Sequence, residues 1–298
     1  MRIKKNNLSE SVYQRLKKVA IARKRPMQEI LRYYAIERFL YRLSISQYKK
    51  SFFLKGGLLL MIWNPQTYRA TLDIDLLARV KNSADTLLQI IKEICALEGD
   101  SDGVEFDVRN VRLIETQLNA EYKGFSARFF ARLSTARLLI QIDIGFSDKI
   151  FPQPIEVKYP SLLEFPPPKL KGYTPETSIA EKLHAIMKLG LANTRMKDFY
   201  DIWVIINQFQ IDPMGFKSVL KGVFRNRKTL IQGMPKAFSE KFYANPRTIE
   251  RWNAFIKGIN QKPIALDKVI SELKQFFRPM LSEEKALQQQ DKAEQKDV

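Results

Sequence analysis

Residues 55–75 read KGGLLLMIWNPQTYRATLDID, and this stretch decides how the first half of the chain folds. The apolar residues just before it, 52–54, predict a short strand, and the apolar run 58–63 predicts a helix. Gly56 and Gly57 lie between the two. Because they carry no side chain, the backbone can approach a ligand closely and offer N–H groups to a phosphate at a helix start. The stretch therefore predicts a phosphate cradle.

A second strand follows this helix and carries two acids. Asp73 and Asp75 alternate with apolar residues, so on an extended strand both carboxylates point to the same face. Neighbouring carboxylates repel each other unless a cation lies between them. Mg²⁺ commonly binds one or two carboxylates together with substrate phosphates. The pair therefore predicts a metal site beside the phosphate cradle.

A third acid with the same pattern occurs in RLLIQIDIGF, residues 137–146. Alternation places the isoleucines of this strand on one face and Gln141 and Asp143 on the other. A strand with one apolar face and an acid on the other predicts that Asp143 completes the site formed by Asp73 and Asp75. An exposed strand with an ordinary solvated aspartate is the alternative interpretation.

The composition narrows the function classes. Fifty Lys and Arg against 32 Asp and Glu give a net charge of +18, which predicts a polyanionic partner, with nucleic acid ahead of an anionic membrane. One cysteine, Cys95, excludes an internal disulfide framework, and together with one histidine, His184, it cannot form a usual zinc site. No apolar run is long enough to span a bilayer, and the N-terminus lacks a signal-peptide pattern. We expect a cytoplasmic protein with no membrane partner.

The pattern of elements predicts an α/β (α+β) fold in two domains. Residues 1–165 are expected to form a small mixed sheet flanked by helices, with a helical N-terminal extension. The segment 150–172 is rich in proline and poor in periodicity, so it predicts the domain boundary. Residues 166–281 predict an all-helical domain, and 282–298, rich in Gln, Lys, Glu and Asp, predict a disordered or frayed helical tail.

Polar residues on three helices allow a structural and a functional interpretation. Arg32, Arg38 and Arg42 are expected to be solvated on or near the polar faces of a packing helix. In AEKLHAIMKLGLANTRMKDFYDIW, Lys182 lies on one helix, and Asp198 and Asp201 lie one turn apart on the next. The simpler interpretation pairs Lys182 with Asp198 and makes Asp201 an acid of the first helical turn. In the functional alternative, Lys182 reaches a triphosphate and the acids orient it. The residues alone favour the ion pair.

With these residues in view, the chain resembles the AbiEii/AbiGii abortive-infection toxins of bacterial type IV toxin–antitoxin systems. This family is a branch of the DNA polymerase β-like nucleotidyltransferases. The segments that carry the resemblance are RYYAIERFLYRLSIS, FFLKGGLLLMIW, YRATLDIDLL and AEKLHAIMKLGLANTRMKDFYDIW. Many relatives place serine where Gly57 stands. A side-chain contact with phosphate must therefore come from elsewhere, with Lys55, Arg69 and Lys182 as candidates.

The resemblance implies transfer of a nucleotide from a nucleoside triphosphate (NTP) to an acceptor, for which it indicates the 3′ end of tRNA. Such transfer would block growth, and a cognate antitoxin would restrain it. It further implies a polymerase-β-like fold and a two-metal Mg²⁺ mechanism. The implied residues fall into three groups: Asp73, Asp75 and Asp143 as metal ligands; these three with Lys182 and Asp198 as catalytic residues; and Lys55, Gly56, Gly57, Arg69, Thr71 and Lys182 as nucleotide contacts.

Three other functions are compatible with the same motifs. A glycosyltransferase also uses an Asp-x-Asp pair, but it would normally place a larger α/β domain before it. A non-catalytic protein that binds nucleic acid or a protein partner could keep the fold. A nucleotidyltransferase could also modify a protein or a small molecule instead of RNA. No motif specifies the nucleotide, the antitoxin or the oligomeric state.

Overall fold

The computed structural model describes residues 2–64, 71–98, 101–119, 122–147, 150–259 and 262–281. The chain divides into two compact units. The first comprises Met1–Asp148 and Pro154–Tyr173, and the second comprises Lys149–Gln153 and Thr174–Val298. Two predictions, the phosphate contact of Arg69 and the tail 282–298, lie outside the described residues.

The first unit combines four helices and eight strands within its described part. The helices are α1 (Arg2–Ala22), α2 (Met27–Ile45), α3 (Gly57–Trp63) and α4 (Ala84–Ala96). The strands are β1 (Phe52–Lys55), β2 (Asp73–Ala78), β3 (Glu105–Phe106), β4 (Arg112–Asn119), β5 (Tyr122–Leu133), β6 (Ala136–Phe146), β7 (Ile155–Lys158) and β8 (Lys169–Gly172).

These strands form one mixed sheet. Its order is β3–β5–β6–β2–β1–β8–β7, and β4 also pairs with β5. Strand β2 runs antiparallel to β1 and parallel to β6, while β1 runs parallel to β8. The predicted fold class, a small mixed sheet flanked by helices, is confirmed.

The apolar face of this sheet packs against α2. Ile140, Ile142 and Ile144 of β6 are fully buried, and Phe129 of β5 lies beside Phe39 of α2 with ring centroids 5.7 Å apart. Each such side chain contributes about 1.5–3 kcal/mol by leaving water. Because side chains alternate along a strand, the opposite face of β5 and β6 is left for polar residues.

The segment 150–172 is more regular than its sequence predicts. It contains β7 and β8, which pair antiparallel, and β8 lies beside β1, so the first unit ends at Tyr173, whereas the predicted boundary lies at residue 165. The sequence of β8, KLKG, is too short and too polar to predict a strand. Its partner β1 is distant in sequence, which leaves no local signal for the pairing.

The prediction that Arg38 and Arg42 are solvated is wrong. Their exposed fractions are 0% and 4%. Arg38 Nη2 donates to Glu37 Oε1 at 2.6 Å and to the Pro166 carbonyl at 2.9 Å, and Arg42 Nη2 donates to Asp102 Oδ1 at 3.2 Å. Segments distant in sequence cover the polar face of α2, and helical periodicity cannot reveal such a cover. Both buried guanidinium groups have an acidic partner, as burial of charge requires.

The second unit is helical. Its helices are α5 (Pro175–Leu189), α6 (Met196–Gln208), α7 (Pro213–Asn226), α8 (Glu240–Tyr243), α9 (Pro246–Gly258) and α10 (Leu266–Leu281). Aromatic side chains fill its core: Trp252 is 1% exposed, and Phe199 stacks on Phe242 with centroids 5.4 Å apart. The predicted helical C-terminal region is confirmed. Among the described helices of both units, none combines the length and the apolar composition needed to cross a bilayer.

Candidate active site

Strand pairing places four polar residues in one row across the sheet. Lys55 of β1 lies opposite Asp75 of β2, Asp75 lies opposite Asp143 of β6, and Asp143 lies opposite Ser126 of β5. Residues that are directly opposite point to the same face, and neighbouring strands are about 4.8 Å apart. The Asp75 and Asp143 side chains therefore project from adjacent positions on the face that points away from α2.

A second row, one pleat away, begins with Asp73. This residue lies opposite Gln141 of β6, which in turn lies opposite Arg128 of β5. Asp73 is exposed, whereas Asp75 and Asp143 are half-buried. The three acids that the sequence singled out thus share one face of two neighbouring strands.

Gln141 and Arg128 form a hydrogen-bonded chain that ends at Asp143. Arg128 Nε donates to Gln141 Oε1 at 3.0 Å, and Gln141 Nε2 donates to both Asp143 carboxylate oxygens at 3.3 Å. The chain restricts the rotation of the Asp143 carboxylate. The sequence places Gln141 on this face without a role, and Arg128 is not among the predicted site residues. The alternation of polar and apolar residues in FSARFFARLS, 125–134, was the available signal.

Gly56 forms the bend between β1 and α3. Its φ of +70° and ψ of −151° lie in a region that is open essentially to glycine alone. A Cβ on this residue would lie 2.0 Å from Asp75 Oδ2. The missing side chain therefore makes room for the Asp75 carboxylate, which lies directly against the bend. The sequence alone predicts that this freedom serves the approach of a phosphate.

The donor chemistry of this face fits Mg²⁺. Carboxylate oxygens are hard ligands, and Asp75 and Asp143 supply them from adjacent strands. In the described ranges, no group of three or more His, Cys, Asp or Glu side chains is arranged as a ready-made metal site. Mg²⁺ does not need one, because it usually keeps several waters and takes one or two carboxylates plus substrate phosphates. The assignment of Asp73, Asp75 and Asp143 as metal ligands stays a prediction.

Two of the predicted nucleotide contacts border the acids. Lys55 is half-buried and lies opposite Asp75, where its charge offsets part of the repulsion between carboxylates. Thr71, two residues before β2, donates its backbone N–H to the Tyr33 hydroxyl at 3.2 Å. This bond ties the approach to β2 to helix α2. The nucleotide-binding roles of Lys55, Gly56, Gly57 and Thr71 stay predictions.

Lys182 lies in the second unit and pairs with two buried acids. Its Nζ is 2.7 Å from Asp201 Oδ2 and 3.5 Å from Asp198 Oδ1. Both acids are 0% exposed, and Arg195 Nε lies 2.6 Å from Asp198 Oδ2. This is an ion pair between α5 and α6, as the simpler interpretation proposed. Lys182 contacts Asp201 more closely than Asp198, and Asp201 lies in the second turn of α6 rather than the first. Catalytic roles for Lys182 and Asp198 stay predictions.

A family model described as nucleotidyl transferase AbiEii toxin, Type IV TA system, matches residues 38–277. The match covers most of the chain, including the three acids and the Lys182 ion pair. The chain belongs to this family. It is therefore a member of a nucleotidyltransferase toxin family, and membership of a toxin–antitoxin system implies an antitoxin as partner.

Two solved structures are similar in arrangement. JHP933 from Helicobacter pylori and an antigenic nucleotidyltransferase-like protein from Paracoccidioides brasiliensis, both known from crystal structures, share 12% and 13% sequence identity with this chain. The first has a TM-score of 0.48 and covers 91% of this chain and 99% of its own; for the second the values are 0.40, 64% and 88%. No curated protein matches the chain.

Proposed function

We propose that this AbiEii-family protein transfers a nucleotide from an NTP to the 3′ end of tRNA in a Mg²⁺-dependent reaction, and that the modification stops growth. The observation that carries the proposal is the row in which Asp75 and Asp143 are neighbours, with the Asp75 carboxylate against the Gly56 bend. Family membership supports the reaction class. The net charge of +18 supports an RNA acceptor.

Each residue of the face has a distinct task in this reaction. Asp73 and Asp75 would hold Mg²⁺, which would in turn bind the triphosphate. Asp143 accepts the proton of the acceptor hydroxyl while that oxygen bonds to the α-phosphorus and the bond to the leaving pyrophosphate breaks. Gln141 keeps the Asp143 carboxylate in the orientation that this proton transfer needs. When bound, Mg²⁺ would neutralise negative charge on the phosphates and on the leaving group.

The test is nucleotide incorporation by the purified protein. Each of the four α-labelled triphosphates is incubated with tRNA and Mg²⁺, and the 3′ end is analysed for label. Asp75→Asn and Asp143→Asn should lower the rate about a thousandfold or more, because several kcal/mol of transition-state stabilisation are lost. Asp85→Asn, an equal change at an exposed position in the first turn of α4, should leave the rate unchanged.

Different outcomes separate the alternatives. Full activity of both variants would refute the assignment of the acids. In a cell lysate, label that survives RNase digestion would assign a protein or a small molecule as acceptor. Binding of tRNA without incorporation from any triphosphate would favour a non-catalytic protein on the same fold.

A further inference from the structure

The sheet face that carries the acids changes its charge toward β4. The second row starts at Asp73 and Gln141, continues to Arg128 on β5, and ends at Arg112 on β4. Both arginines are exposed. The same face of the sheet is therefore acidic at β2 and basic at β5, two strands away.

Further along β5 and β6 the same face carries two more arginines. Arg132 lies opposite Arg137. Between this pair and the pair Arg128–Gln141, Phe130 lies opposite Leu139. Arg132 and Arg137 are exposed, and the Arg137 guanidinium carbon lies 3.7 Å from the centroid of the Phe130 ring. We call the surface formed by Arg112, Arg128, Arg132, Arg137 and Phe130 the arginine face.

The charge of the arginine face is largely uncompensated. Two acids lie near Arg132: Glu105 of β3 lies opposite it, and Asp107, just after β3, interacts with it electrostatically. No ion pair within the described part of the chain neutralises Arg112, Arg128 or Arg137. Ile114, on the same face between Arg112 and Thr116 and opposite Ser126, is 47% exposed. The surface therefore offers positive charge, an exposed apolar side chain and a guanidinium plane that rests on an aromatic ring.

The dimensions of the arginine face favour a polymer over a triphosphate. Arg137 and Asp143 are six residues apart on one strand, which corresponds to about 20 Å at ~3.3 Å per residue. A triphosphate group is shorter than this distance, so contacts that extend from Asp143 to Arg137 need a longer ligand. A single strand of RNA can, and proteins bind such strands by combining backbone contacts to basic residues with bases stacked on aromatic or guanidinium planes.

We propose that the arginine face binds the single-stranded 3′ segment of the RNA acceptor and leads its terminal hydroxyl to Asp143. Backbone phosphates lie against Arg112, Arg128 and Arg132, and a base stacks on the Arg137 guanidinium that Phe130 supports. This inference rests on the proposed function, since it names the surface that recognises the acceptor of that reaction.

The test uses the double variant Arg112→Gln/Arg137→Gln, which keeps the hydrogen-bonded chain from Arg128 to Asp143 intact. The matched control is Arg247→Gln/Arg251→Gln, which removes the same charge from exposed positions on α9. Affinity for tRNA is measured by filter binding over a range of salt concentrations without NTP. Separately, KM for tRNA, KM for NTP and kcat are measured.

Losing the phosphate contact of Arg112 should make the slope of log affinity against log salt shallower by about 0.7, and losing the stacking surface of Arg137 should lower the affinity further at every salt concentration. At ~0.15 M salt the two losses together correspond to a loss of affinity on the order of tenfold, with KM for tRNA raised equally. We expect kcat and KM for NTP to be unchanged, and the control to behave as wild type. An equal loss in the control would show a general charge effect and overturn the inference.

The two measurements separate this inference from the proposed function. If the wild type incorporates no nucleotide but the arginine-face variant loses RNA affinity, the proposed function fails and the RNA-binding surface stands. If the wild type is active and the variant keeps the wild-type salt slope and KM for tRNA, the inference fails and the function stands.

Discussion

Replacing Gly56 by alanine tests whether the bend after β1 holds Asp75 in place. The new Cβ would lie 2.0 Å from Asp75 Oδ2, 2.6 Å from its Cγ and 2.8 Å from its Cβ, all below the 3.0 Å that real contacts respect. The clash includes the Asp75 Cβ, so rotation of this short side chain does not relieve it. The whole residue, with its carboxylate, must therefore shift by about 1 Å or more. A displacement of about 1 Å in a catalytic group lowers a rate about a hundredfold. The unfavourable φ adds about 1–3 kcal/mol of strain.

Gly190 provides a matched control. It ends α5 with φ +52° and ψ −132°, similar to Gly56, but no described atom lies within 4 Å of the position that its Cβ would take. Gly190→Ala should lower the free energy of unfolding by about 1–3 kcal/mol through backbone strain alone, and Gly56→Ala should lower it further because of the clash, as measured by urea titration. Only Gly56→Ala should also lower the initial rate of labelled nucleotide transfer.

The reasoning is refuted if folded Gly56→Ala transfers nucleotide within about tenfold of Gly190→Ala, a barrier difference under ~1.4 kcal/mol. Should Gly56→Ala be too unstable to purify, Gly56→Ala/Asp75→Gly provides a second test. This double variant removes the clash, so its stability should recover to that of Gly190→Ala while transfer stays absent. A double variant as unstable as Gly56→Ala would show that the clash with Asp75 does not cause the loss.

Two further predictions concern buried charges. Lys182→Met leaves the buried Asp201 without this partner, and we expect the free energy of unfolding to fall by about 3–5 kcal/mol in a urea titration; Lys182→Met/Asp201→Leu should recover most of it. Burial raises the pKa of Glu37 from 4.5 to about 7, although Arg38 and the Leu162 N–H act in the opposite direction. As pH rises, the unfolded chain loses this proton first, so stability should fall by about 3 kcal/mol between pH ~4.5 and ~7 and then level off. Glu37→Gln should remove this part of the pH dependence in calorimetry.

Clear results would contradict both predictions. A Lys182→Met variant that is as stable as wild type but inactive would assign Lys182 a direct role in transfer. A Glu37→Gln variant with the wild-type dependence of stability on pH would show that another group titrates in this window.

The sequence predicted the parts of the fold that depend on local periodicity. Alternation along a strand is enough to place Asp73 and Asp75 on one face and Asp143 on the front of an apolar strand. The glycine pair marks the bend. The sequence does not predict that Asp75 and Asp143 lie opposite each other, because the register between β2 and β6 is set by packing of residues distant in sequence.

The features that the sequence missed all depend on distant partners. Strand β8 exists because its backbone pairs with β1, not because of its own residues. Arg38 is buried because the Pro166 segment covers it, and Gln141 gains its role from Arg128 across the β5–β6 pair. The local sequence of β8 fits an exposed polar segment, and that of Arg38 and Gln141 fits an ordinary exposed polar residue.

Strand β1 has a further consequence for the enzyme. It pairs with β2 along one edge and with β8 along the other, and the Tyr173 N–H donates to the Leu54 carbonyl at 2.9 Å just before the Gly56 bend. A segment anchored on both sides cannot open and close with each turnover. In the proposed reaction, admission of the NTP and release of pyrophosphate would therefore depend on movement of segments other than β1.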